Sequence, residues 1–177
     1  MKNLLLCSAG LVAVLASVQA PAYTVWSADD LKLDVNGNAQ YDYGRIDVGS
    51  ASGGAQQAGQ WRRQRLGMLL ERKDVADLAI EYDFYADSWT DVRLTIRGVW
   101  GGQLLLGQFK QPFGLEELVS NRRTLHQEAS LASSFVIGRR LGVGYLFNPS
   151  AFGVQLGVFD RNLTGAPSSQ GAAARVW

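Results

Sequence analysis

From Leu31 to Tyr43 the chain alternates without a break: Leu31, Leu33, Val35, Gly37, Ala39, Tyr41 and Tyr43 are apolar or small, and Lys32, Asp34, Asn36, Asn38, Gln40 and Asp42 are polar. Side chains of a β-strand point alternately to opposite faces, so this stretch is a two-faced strand. Its thirteen residues exceed the usual ~5–6 of a soluble strand. A strand crossing a membrane at a tilt needs ~9–11 residues, which this stretch satisfies.

The pattern recurs along the chain. Arg62 to Arg72 sets Leu66, Met68 and Leu70 against Arg63, Arg65 and Gly67, and Val75 to Ala86 sets Leu78, Ile80, Tyr82 and Phe84 against Asp77, Ala79, Glu81 and Asp83. Asp91 to Trp100 sets Val92, Leu94, Ile96 and Trp100 against Asp91, Arg93, Thr95 and Arg97. Gln103 to Gln111, with three consecutive leucines, is a less regular strand; Ile137 to Phe147 and Ala151 to Asp160 alternate again. Every second connection is minimal, as at Lys73-Asp74, Gly101-Gly102 and Asn148-Pro149-Ser150, whereas 44–60 and 112–136 are long. This order predicts an all-β fold, an antiparallel transmembrane β-barrel meander with turns at one rim and long loops at the other. Aromatics near the strand ends, including Tyr41, Tyr43, Trp61, Phe84, Trp100 and Tyr145, suit interface girdles. Seven strands are expected, with no alternating strand before Trp177. Bacterial single-chain barrels have even strand numbers, so the chain reads as an incomplete portion of a larger barrel that does not close alone.

The first residues have the form of an export signal. Lys2 supplies the charge and Leu4 to Val18 the apolar run, with small residues at Ala20-Pro21-Ala22 favouring cleavage after Ala22. The expected division is therefore a signal peptide over 1–22 and a partial outer-membrane barrel over 23–177. Cys7, the one cysteine, falls in the signal, which excludes disulfides, thiol catalysis and cysteine-based metal sites from the mature chain. The charges nearly cancel, 17 Lys plus Arg against 16 Asp plus Glu, which argues against nucleic-acid binding. His126 is the one histidine, and its spacing to Ser120, Ser130, Ser133 and Ser134 does not assemble a nucleophile, base and oxyanion donors. No phosphate loop, dinucleotide fingerprint or metal-spaced carboxylate set is present, so neither an enzyme nor a cofactor is expected.

Thirteen of the basic residues are arginines, whose planar fork matches phosphate oxygens. An arginine facing lipid at the bilayer midplane costs ~2–4 kcal/mol, so parity turns Arg63, Arg65, Arg93, Arg97 and Arg140 towards the lumen. With Lys110 at the top of the fifth expected strand they form a funnel for anions. The competing role is structural: the same arginines can pair with Glu81, Asp83 and Asp91 and knit the barrel wall. Arg45 and Arg62 fall on the lipid-facing parity if their strands run unbroken, unless a bend at Gly44 swings Arg45 inward.

Four segments resemble the phosphate-selective porin O and P family of bacterial outer membranes: Tyr43-Gly44-Arg45-Ile46-Asp47, Trp61-Arg62-Arg63-Gln64-Arg65-Leu66-Gly67, Glu81-Tyr82-Asp83-Phe84, and above all the run from Gly107 to Leu118, Gly-Gln-Phe-Lys-Gln-Pro-Phe-Gly-Leu-Glu-Glu-Leu. The resemblance implies a sixteen-stranded trimeric anion channel in outer-membrane lipid, with arginines lining the pore and an inward-folded loop narrowing it. Phosphate and pyrophosphate are the implied solutes, and Arg45 and Arg62 the implied pore-mouth residues. Glu116 and Glu117 in the long loop can either hold it to wall arginines or stand as a solvated charge pair. Ala129 stands where family loops carry an arginine after the glutamate matching Glu128, and the missing guanidinium is expected to weaken phosphate binding. The alternative reading is a small non-porous barrel serving as anchor or adhesin, which requires a final alternating strand.

Overall fold

Alternation over such lengths leaves each strand one apolar and one polar edge-on face, and neighbours in sequence can match both faces by pairing antiparallel. A computed structural model of the chain, which describes residues 10–47, 55–114, 118, 137–161, 163 and 170–177, has this arrangement. Nine strands run in chain order: β1 (Gly10–Ala28), β2 (Leu31–Asp47), β3 (Ala55–Arg72), β4 (Ala76–Asp83), β5 (Ser88–Val99), β6 (Gly102–Lys110), β7 (Arg139–Phe147), β8 (Val154–Phe159) and β9 (Gly171–Val176). They form one sheet in which each strand pairs antiparallel with its sequence neighbours. The fold is all-β, a meander, and the sheet is open, with β1 and β9 at its edges.

Tight connections lie at one rim. Ala28 pairs with Leu31 and Val99 with Gly102, leaving the two-residue turns Asp29-Asp30 and Trp100-Gly101. Trp100 and Gly101 both have positive φ, 48° and 77°, the mirror-image turn whose twist suits a hairpin. The β3–β4 and β7–β8 connections join this turn rim, and the β2–β3, β4–β5, β6–β7 and β8–β9 connections lie at the opposite, loop rim.

The strands differ from the sequence reading in length and in number. The expected strands at Leu31 and Arg62 lengthen to Asp47 and back to Ala55, and two further strands, β1 and β9, flank the expected seven. In β9 the three alanines 172–174 mask the alternation, although Ala172, Ala174 and Val176 are exposed while Ala173 and Arg175 are half-buried. β1 runs through the positions expected for signal cleavage. Its ladder with β2 breaks between Ala20 and Tyr23, where Pro21 has no N–H to donate.

The two faces differ sharply. Leu66, Met68, Leu70, Leu78, Val143, Leu156 and Val158 are exposed on one, an apolar surface far beyond what a water-soluble monomer carries. Aromatics bound it at both rims: Tyr41 meets Trp61, and Tyr82 meets Phe84 and Trp89, at the loop rim, while Trp100 meets Tyr145 at the turn rim. The eleven steps from Trp89 to Trp100 cover roughly 36 Å of strand, or about 25 Å across a bilayer at a ~45° tilt, the height of a barrel's apolar band. The other face, called inner below, is polar over β2 to β5. Over β6 to β8 it carries the buried cluster Leu105, Phe109 and Phe159, flanked by Leu146 and Ala173.

Candidate functional site

The inner face is best followed from the loop rim downward. On β2 its row is Asp34, Asn36, Asn38, Gln40 and Asp42, and β3 lays arginines over it. Gln40 pairs with Arg63 and Tyr41 with Trp61, so Arg62 is an inserted residue, a β-bulge. The insertion changes the parity of β3 and turns Arg62 inward, where its Nε donates to Asp42. Arg63 Nη1 donates to Gln40 Oε1 at 2.6 Å, and Arg65 Nε to Asp83 Oδ2 at 2.7 Å, with Glu81 Oε1 3.8 Å from Arg65 Nη1. Two adjacent arginines thus share one face because Arg62 is the extra residue of the ladder, inserted between Trp61 and Arg63.

A second cluster lies nearer the turn rim. Arg97 Nη2 is 2.9 Å from Asp77 Oδ1 and 3.1 Å from Glu71 Oε1, and Arg93 Nη2 is 3.8 Å from Asp77 Oδ2. A third is at the loop rim, where Arg139 grips Asp91 with two bonds, Nε to Oδ1 at 3.0 Å and Nη2 to Oδ2 at 3.2 Å. Arg140 Nη1 donates to the Asp160 carbonyl at 3.1 Å. Lys110 is paired in register with Arg139 and has an interaction partner of its own.

No second layer of described residues covers β2 to β5, yet Asp34, Asp42, Asp77 and Asp83 are buried. The long cross-strand side chains lying over them supply the cover. Asp83, only 2% exposed, accepts from Arg65 Nε and from the Gln64 and Tyr85 N–H groups. A carboxylate so enclosed is stable only with its partners, and removal of one from a buried pair typically costs ~3–5 kcal/mol.

Of the sequence-derived residues, Arg62, Arg63, Arg65, Arg93 and Arg97 therefore meet on the inner face over β3 to β5, and Arg140 and Lys110 stand at the loop end of β6 and β7. Arg45 is not brought to them. The β2–β3 register runs unbroken through Gly44 and Arg45, so Arg45 keeps the parity of Tyr41 and Tyr43 and is exposed. Arg139 went unread in the sequence because its carboxylate partner lies 48 positions away, and Arg175 because its strand is disguised. Glu116, Glu117, Ser120, His126, Glu128, Ala129, Ser130, Ser133 and Ser134 lie outside the described residues. Among the described residues no group of acidic, histidine or cysteine side chains is placed to hold a metal ion.

A long-stranded meander with an apolar outer face and an arginine-laden inner face is the wall of a membrane channel, and the family model for phosphate-selective porin O and P matches residues 33–177. The chain belongs to that porin family. No curated protein and no solved structure matches it. The match opens inside β2 and takes in every strand from β3 to β9. The outer face of the porin is accordingly its membrane surface, the strands its transmembrane strands and the bacterial outer membrane the family's location.

The family-like run after Gly107 has a visible structural job. Gln108 is 1% exposed; its Nε2 donates to the Trp89 and Thr90 carbonyls at 2.6 and 3.1 Å, and its Oε1 accepts the Leu163 N–H at 2.6 Å. One amide thereby ties β5 to the β8–β9 connection. It does so at a second bulge, where Thr90 and Asp91 together oppose Glu81.

Proposed function

We propose that this porin is an anion-selective diffusion channel for phosphate or pyrophosphate, exported through a signal cleaved after Ala22 and working as a homotrimer once its barrel is closed. The observation that carries the reading is the gathering of Arg62, Arg63, Arg65, Arg93 and Arg97 on one face of the sheet, the face opposite the apolar band. Rings of arginine are the expected lining of anion pores. Carboxylates hold Arg62, Arg65, Arg93 and Arg97 against the wall and the Gln40 amide holds Arg63, and donors that these contacts do not use remain for a passing oxyanion. The open sheet supports a barrel completed by further strands, because unpaired edge N–H and C=O groups in hydrocarbon cost several kcal/mol each.

The reading is tested with the protein in its natural, closed-barrel assembly in planar bilayers under a potassium chloride gradient. The expected zero-current potential has the sign of anion preference, and added phosphate reduces the chloride current. A potential of the cation sign, or folded protein without any conductance, overturns the proposal; the second outcome favours a non-porous anchor.

A further inference from the structure

We infer that Arg175 is a further specificity-determining residue of this channel, a stacked guanidinium near the turn rim that receives small oxyanions on their way through; the inference rests on the channel reading above. The register places it. Arg97 pairs with Gln103, Gln103 with Leu146, Leu146 with Gln155 and Gln155 with Arg175, so Arg175 stands on the inner face at the level of Arg97, on the far side of the apolar cluster.

Its electrostatic setting is unlike that of the other cations of the wall. Lys32, Arg62, Arg65, Arg93, Arg97 and Arg139 have carboxylates within ion-pair distance, Arg63 and Arg140 bond the Gln40 amide and the Asp160 carbonyl, and Lys110 has an interaction partner of its own. Among the described residues Arg175 has no carboxylate or hydrogen-bond acceptor on its guanidinium. Its contact is the Trp177 ring, with the guanidinium carbon 4.9 Å from the ring centroid. A guanidinium over an indole gains cation–π attraction while the donors at its own rim stay open. Those donors match a phosphate edge in a two-point contact.

The ring that holds it is itself seated. Trp177 and Gly153 exchange backbone hydrogen bonds, Gly153 N to Trp177 O at 2.8 Å and Trp177 N to Gly153 O at 3.0 Å. The indole lies against the bare Cα, and a Cβ at Gly153 would collide with Trp177 Cε2 and Cζ2. Gly153, Trp177 and Arg175 form a stack that orders an otherwise mobile side chain before any anion arrives, and pre-ordering lowers the entropic cost of binding. Gln155, directly across the ladder, offers a neutral amide in place of a competing carboxylate.

The experiment measures inhibition of chloride current by inorganic phosphate added at the turn-rim side, with the protein in its natural assembly in planar bilayers. Arg175→Gln is expected to raise the half-inhibiting phosphate concentration about tenfold, Trp177→Ala to raise it by a smaller factor because the charge remains but loses its seat, and Trp177→Phe to leave it near wild type. The heat-modifiable folded band is expected unchanged in all three. Equal half-inhibition in wild type and Arg175→Gln, in a channel that prefers anions, overturns this inference and leaves the channel reading intact. A wild-type channel without anion preference overturns both. Should Arg175→Gln lack the folded band, Arg175→Lys decides the matter, since it keeps the charge but not the fork: a value equal to wild type overturns the role of the stacked guanidinium.

Discussion

Arg63 and Arg65 are two residues apart on one strand, face the same way and do different work. Arg65 lies between Asp83 and Glu81, so Arg65→Glu places three carboxylates together and is expected chiefly to destabilise the wall. Arg63 donates to the neutral Gln40 amide. Arg63→Glu is therefore expected to move the zero-current potential towards cations with a folded band close to wild type, and an unmoved potential would show that this side chain does not meet the permeating ion. For Asp83→Ala, which strips Arg65 of its shortest bond and three backbone N–H groups of their acceptor, a loss of ~3–5 kcal/mol is expected. Urea unfolding in lipid vesicles measures it, and a loss under ~1 kcal/mol would mean that water replaces the carboxylate freely.

At the scale of the strand, the outer face is a depth gauge. Met68 lies mid-strand between Leu66 and Leu70 and is exposed, so Met68→Arg should cost ~2–4 kcal/mol, falling towards zero for substitutions near Trp61 or Trp100. Equal costs along β3 would place the bilayer elsewhere. The β5–β6 hairpin holds another constraint in Gly107, whose φ of 113° is sterically barred to residues with a Cβ; a Cβ here would also strike the Val92 carbonyl. Gly107→Ala is expected to lower stability by ~1–3 kcal/mol in the same unfolding assay.

For the whole molecule the decisive feature is an open sheet with an apolar outer face. Processing bears on one of its edges. If the chain is cleaved after Ala22, the mature protein begins at Tyr23 and keeps the hairpin partner of Leu31–Val35 while uncovering the 37–47 edge of β2, which a closing strand must then cover. Mass spectrometry of protein from outer membranes is expected to give Tyr23 as the first residue; an intact Gly10–Ala20 segment would make β1 a resident strand. Ala129→Arg, in the long β6–β7 connection, should strengthen phosphate inhibition of the chloride current, and no change with the channel intact would place that position away from the constriction.

Alternation alone determined the all-β meander, the two faces and the rims, because the period of two is a local property of the chain and lipid punishes a misplaced charge at every strand. It set Arg63, Arg65, Arg93 and Arg97 on the polar face for the same reason. The inward turn of Arg62 was decided by the pairing of β2 with β3, since a bulge is a mismatch between two ladders that neither strand records by itself. The Arg139–Asp91 grip, the hidden strand β9 and the seat that Gly153 makes for Trp177 were likewise decided in three dimensions. Each depends on which residues a register brings opposite one another, and register is a relation between segments rather than a property of either.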